Sequence, residues 1–100
     1  MINPNNIIKS VEQAYNMPNG VILSNRRSKT AVEARSVAMY LTRKLTTYSL
    51  TEIGEQFNRD HTSVLHSCNK MVKIVQMGCK NQAYNTTMNL IDQFLTVENK

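Results

Sequence analysis

Apolar residues recur along this chain with the period of an α-helix, in blocks separated by turn-forming residues. In the first block, opened by Pro4, the positions Ile7, Ile8, Val11, Ala14 and Tyr15 form a stripe of helical period. Asn16 to Gly20, with Pro18-Asn19-Gly20, predicts a turn that ends this helix. The short apolar piece Val21 to Leu23 then predicts one helical turn against the core, and Arg26-Arg27-Ser28-Lys29 an exposed basic loop.

Thr30 with Glu33 three residues later has the pattern of a capping box and predicts the start of a long helix. At about 100° per residue, Ala34, Val37, Ala38, Leu41 and Leu45 gather on one face of it. Arg35, Ser36, Thr42, Arg43 and Thr46 gather opposite, with Met39 unexplained among them. Ser49 with Glu52 repeats the capping pattern and starts a short helix whose Leu50, Ile53 and Phe57 point inward. Gly54 sits in its middle at a cost of ~1 kcal/mol relative to Ala, which predicts close approach of another helix.

Asp60 is placed as the N-cap of the next helix, accepting backbone N–H bonds in its first turn. Val64, Leu65, Cys68, Met71, Val72 and Val75 fill one side of that helix. Thr62, Ser63, His66, Asn69, Lys70 and Lys73 occupy the other, which carries no acid. Gly78 ends or bends it. From roughly Gln82 to Val97, Tyr84, Met88, Ile91 and Leu95 predict a final amphipathic helix.

The joint Asn58-Arg59-Asp60 holds two short periodic segments at a fixed angle and displays His61, Thr62 and Ser63 where the second begins. This is the helix-turn-helix arrangement, whose second helix enters the DNA major groove with its N-terminal residues at base edges. A generic helix pair in a bundle is the alternative on pattern alone. Charge favours the DNA reading. Between Arg26 and Lys44 lie six basic residues and one acid, Glu33, so this segment accounts for the whole net charge of +5. With a pI near 9.5, a localised excess of that kind suits a polyanionic partner.

Taken together, the run ARSVAMYLTRKLTTYSLTEIGEQFNRDHTSVLHSCNKM, Ala34 to Met71, resembles the signature of the DNA-binding C-terminal domain of DnaA, the bacterial chromosomal replication initiator. The upstream NIIKSVEQAY and LSNRRSKT are similar to that domain's opening helix and basic loop, so the resemblance covers roughly residues 5 to 95. It implies an all-α, Trp-repressor-like domain of about six helices that binds double-stranded DNA at short DnaA boxes. Arg27 would enter the minor groove, and Asp60, His61, Thr62 and Ser63 would read the major groove. Lys29, Arg35, Arg43 and Leu50 would lie on the DNA backbone, and the exposed His66 and Lys70 are placed there as well. The residue chemistry suits these roles: Asp can accept from cytosine N4, a Thr methyl can touch a thymine methyl, and His can donate to guanine. The chain departs from the family in having the single Asn58 where two glycines are usual. Ser63 also replaces a second Thr, and Thr51 the Pro after Ser-Leu.

Other functions find less support. There is no GxxxxGK[ST] and too little chain to house an ATPase, so neither nucleotide nor other cofactor is expected. His61 and His66 are five apart, no HExxH occurs, and no metal or catalytic site is expected. A half-buried structural role remains the alternative for His61. Cys68 and Cys79 have no metal or redox spacing and read as free thiols.

One hundred residues with 41% hydrophobic content predict a single domain, and no apolar run reaches the roughly 18 residues of a membrane span. The expectation is a cytoplasmic, monomeric DNA-box binder, either a stand-alone regulator of replication or transcription or an excised initiator domain. The alternatives are a helical protein-interaction module that has lost DNA recognition and, less favoured, a membrane-surface binder, for which the basic helix face lacks a large aromatic residue.

Overall fold

A computed structural model describes residues 2–78 and 80–98, and the periodic blocks form five α-helices in it. These are α1 (Pro4–Ala14), α2 (Lys29–Leu45), α3 (Leu50–Phe57), α4 (His61–Met77) and α5 (Gln82–Glu98), with no strand among the described residues. The expected sixth helical piece is absent because Val21 to Leu23 forms successive turns, closed by Val21 N–H to Pro18 O at 3.4 Å and Ser24 N–H to Val21 O at 3.1 Å. Cys79 lies outside the described residues; Cys68 is a buried free thiol.

The organising element is α2, which contacts all four other helices. For that reason its polar side is not the solvated basic face its periodicity predicts. Arg35, Ser36, Met39 and Thr42 are buried along with Ala34, Val37, Ala38 and Leu41. Met39 is thereby explained as a core residue, and the buried Thr42 hydroxyl is satisfied by donating to Ala38 O at 2.8 Å. Of that face Arg43, with Lys44 beside it, emerges as an exposed basic end at the last turn. The core then runs through Ile7, Ile8 and Val11 of α1, Ile53 and Phe57 of α3, Val64, Cys68 and Met71 of α4, and Ala83 and Leu90 of α5.

Two predicted faces turn out rotated. On α4, Val64, Cys68 and Met71 are buried, whereas Leu65 and Val72 are both 37% exposed at the edge of the contact. On α5, Ala83, Thr86, Thr87 and Leu90 face the core in place of the expected line, leaving Met88 and Leu95 exposed. Polarity misleads here: Thr86 and Thr87 are buried despite their hydroxyls, and Thr87 Oγ1 has no hydrogen-bond partner among the described residues.

Capping also differs from expectation at α2. Ser28 is the N-cap, accepting from Ala31 N–H at 3.2 Å, rather than Thr30. Glu33 is instead drawn to α1, where it accepts from the Tyr15 hydroxyl at 2.8 Å. Burial, reinforced by that carboxylate, holds the Tyr15 phenol well above its ordinary pKa. At α3 the capping box forms as expected, with Glu52 N–H donating to Ser49 Oγ at 3.1 Å and Ser49 N–H to Glu52 Oε1 at 2.9 Å.

Candidate nucleic-acid interface

The geometry of the helix pair is set by its turn. Asn58 adopts the left-handed conformation, φ +56°, which asparagine tolerates better than most residues. This lets Asn58 N–H reach Glu55 O at 3.3 Å and Arg59 N–H reach Gly54 O at 2.7 Å, closing α3 with a Schellman motif. A single residue thus reverses the chain where the family usually has two glycines. Three residues, Asn58 to Asp60, separate Phe57 from the first residue of the next helix, His61.

Gly54 faces this turn. A Cβ placed on it would stand 2.5 Å from Arg59 O and 3.4 Å from His61 N, so the neighbour that requires glycine is the turn backbone and the first residue of α4. The expected approach of a second helix is therefore made through that helix's leading edge. Packing at this point fixes how α4 leaves α3.

Asp60, His61, Thr62 and Ser63 are all exposed at the start of α4. Asp60 occupies the N-cap position, but its side chain makes no capping bond; Oδ1 lies 3.2 Å from His61 Nδ1 instead. The expected cap is therefore corrected: the carboxylate points outward, where its remaining lone pairs can meet a donor. The His61 side chain is 61% exposed, which removes the half-buried alternative. His66 and Lys70 lie further along the helix and are also exposed, one and two turns beyond Thr62. Arg43 and Lys44 border a shallow depression shared with Cys68, Asn69 and Val72, so the basic end of α2 adjoins the middle of α4. Burial pushes the Cys68 thiol pKa up, and the Arg43 guanidinium beside it only partly offsets this. Leu50 is half-buried at the first position of α3.

The loop bearing Arg27 is tied down from below. Glu12 is 2% exposed on α1, and its Oε2 accepts from Gly20 N–H at 2.9 Å and Ile22 N–H at 3.1 Å. Arg35 grips the same segment from α2, with Nε to Ile22 O at 2.7 Å and Nη2 to Ser24 O at 3.0 Å and Arg26 O at 3.1 Å. Ile22 is thus clamped at both its N–H and its C=O. Arg35 departs here from the phosphate contact that the resemblance implies. It is 6% exposed with Nε and Nη2 bonded to loop carbonyls, and burial followed by the nearby Arg59 charge lowers its pKa. Arg27 and Lys29 remain exposed above this anchorage.

Glu12 and Arg59 are the contributors that periodicity and motif do not single out. Glu12 has a faint signal, an acid next to Val11 in the apolar stripe of α1. Arg59 has none, since its acceptor Ser24 is 35 positions away in the chain.

The loop and α4 meet at one concavity of about 610 Å³, lined by Asn25, Arg27, Val32, Arg35, Asn58, Arg59 and Ser63. Three of these seven are arginines and none is acidic. Among the described residues no group of His, Cys, Asp and Glu could hold a metal ion, and no helix is long and apolar enough to cross a membrane.

Comparison with known proteins agrees with this geometry. The family described as bacterial dnaA protein helix-turn-helix matches residues 4–71. The chain is 41% identical over 90 residues to the chromosomal replication initiator protein DnaA of Bartonella quintana (strain Toulouse), which covers 89% of this chain and 18% of the relative. It is 40% identical over 86 residues to the protein of the same name from Lachnoclostridium phytofermentans, covering 85% of this chain and 18% of the relative. The chain thus spans somewhat under a fifth of the length of these relatives. With a matching profile across both the basic loop and the helix-turn-helix, the chain belongs to the bacterial DnaA helix-turn-helix family of DNA-binding domains.

Proposed function

We propose that the chain reads DnaA-box-like double-stranded DNA by engaging two adjacent grooves at once. The observation that carries this reading is the shared concavity, which sets the exposed Arg27 loop and the start of α4 on either side of one acid-free depression. An arginine on a loop suits the narrow, electronegative minor groove of an A/T-rich step. The small polar residues of the first turn of α4 suit base edges in the neighbouring major groove. In this arrangement Asp60 accepts from cytosine N4, His61 donates to a guanine acceptor, and Thr62 and Ser63 contact a thymine and its neighbour. Lys29, Arg43, His66 and Lys70 meet phosphates, and Leu50 packs against the sugar-phosphate backbone near the start of α3. The names of the relatives support a role in initiating chromosomal replication, with this chain as either a separate regulator or the DNA-binding part of a longer initiator.

The test is a fluorescence-anisotropy titration of the protein against a labelled DnaA box and a scrambled duplex of equal length at several salt concentrations. Tighter binding to the box is expected. With four to six phosphates neutralised, the slope of log K against log salt should be about −4 to −5. Equal affinity for the two duplexes would favour a protein-interaction module that keeps the fold without the recognition.

A further inference from the structure

We infer that Arg59 is a positioning residue for this DNA surface: it locks the Arg27 loop to the helix-turn-helix turn and so sets the spacing between the minor-groove and major-groove contacts. The inference rests on the proposed two-groove reading. Arg59 lies inside the motif, next to the residues assigned to bases, and from sequence it would pass for one more cation facing DNA. Its guanidinium is directed elsewhere. Nη1 donates to Phe57 O at 3.2 Å and Asn58 O at 3.0 Å, while Nη2 crosses to Ser24 O at 2.8 Å. One planar fork therefore ties both carbonyls of the left-handed turn to the loop before Arg27.

Ser24 O also accepts from Arg35 Nη2 at 3.0 Å, so two cations from different elements converge on one carbonyl. Among the described residues neither guanidinium has a carboxylate within 4.0 Å. Like charges brought this close repel, and what both guanidiniums bond to is the loop they anchor. Arg35 fixes the loop to α2, and Arg59 fixes it to the turn that launches α4. Loop and recognition helix become one rigid body whose separation is preset before DNA arrives. Lysine cannot reproduce this, because a single ammonium on a flexible stem lacks the fork that spans three carbonyls.

The experiment is a double-mutant cycle on box DNA with Arg27→Ala, Arg59→Lys and the pair, each variant checked for folding by circular dichroism. Arg59→Lys preserves charge, so a phosphate contact at this position would survive it. A positioning role predicts that Arg59→Lys weakens wild-type binding on the order of 10-fold, comparable to Arg27→Ala. It further predicts that the pair binds no more weakly than Arg27→Ala alone, because Arg59 acts through Arg27. Full retention of affinity by Arg59→Lys, or additive losses in the pair, overturns the inference.

If Arg59→Lys fails to fold, the unmodified protein decides. Its Arg59 Nη resonances should be slowed by hydrogen bonding in the free state and unchanged on adding the box. Resonances that shift strongly or couple to DNA phosphorus overturn the positioning role. Wild-type protein that does not distinguish the box from scrambled DNA overturns the two-groove reading and this inference together. A discriminating wild type with an additive cycle overturns this inference alone.

Discussion

Replacing Gly54 by alanine sets helix propensity against tertiary packing at the point that aims the recognition helix. Gly54 lies in the interior of α3, where alanine would ordinarily gain about 1 kcal/mol. Its added methyl would stand 2.5 Å from Arg59 O, whereas carbon-to-oxygen contacts settle near 3.3 Å or beyond, so the turn must retreat by about 0.8 Å. The obstacle is backbone and cannot swing away as a side chain would. Insertions of this size into packed regions cost typically 1 to 3 kcal/mol. The retreat also pulls on the 2.7 Å bond from Arg59 N–H to Gly54 O, with a net value of about 1 kcal/mol. Setting the propensity gain against these losses leaves a destabilisation of about 1 to 3 kcal/mol, which for a chain this size lowers Tm by about 5 to 25 °C. Glu55→Ala, at the next and exposed position, serves as the control and should stay within about 0.5 kcal/mol of wild type. Thermal melting by circular dichroism reads both, and titration below the melting range should show reduced preference for the box, because His61 moves with the turn. A Gly54→Ala protein that melts at or above the wild-type temperature would refute the packing argument.

Thr62→Ala should leave Tm nearly unchanged while lowering discrimination at one base pair by roughly 1 to 3 kcal/mol. Val64→Ala, which empties a fully buried position, should cost about 2 kcal/mol of stability and leave base preference intact; reversed results would move the reading surface elsewhere. Arg43→Ala should weaken box and scrambled DNA alike and reduce the salt slope by about 1. Arg27→Ala should cost most where the flank is A/T-rich, and equal losses for the two on every duplex would contradict the minor-groove assignment. Donation from the Ser49 backbone, then from its hydroxyl, holds the Glu52 carboxyl below the usual carboxylate range. Its stabilising contribution is therefore present at neutral pH and lost as pH falls through that depressed value. Urea midpoints of wild type and Glu52→Gln should differ at about pH 7 and converge on strong acidification; a gap that persists in acid would show that the cap bond is not the cause.

What this chain's sequence determines by itself is whatever depends on neighbours a few residues apart. Helical period, the Ser49 and Glu52 box, the Gly78 stop and the exposed order Asp60, His61, Thr62, Ser63 are all local. The structure places them where the pattern does. The family resemblance was legible for the same reason, since its motifs are short ordered strings. Tertiary structure decided which faces are inside and which cations are free. Arg35 reads as a surface cation because its period matches Arg43, and it is buried because the loop carbonyls it meets lie 9 to 14 positions away in sequence. Thr86 and Thr87 replace Met88 and Leu95 at the core because α5 is oriented by the helices beneath it rather than by its own polarity. Arg59 bonds only to backbone carbonyls among the described residues, and backbone carbonyls are identical at every residue. Only a fold can say which of them stands within reach.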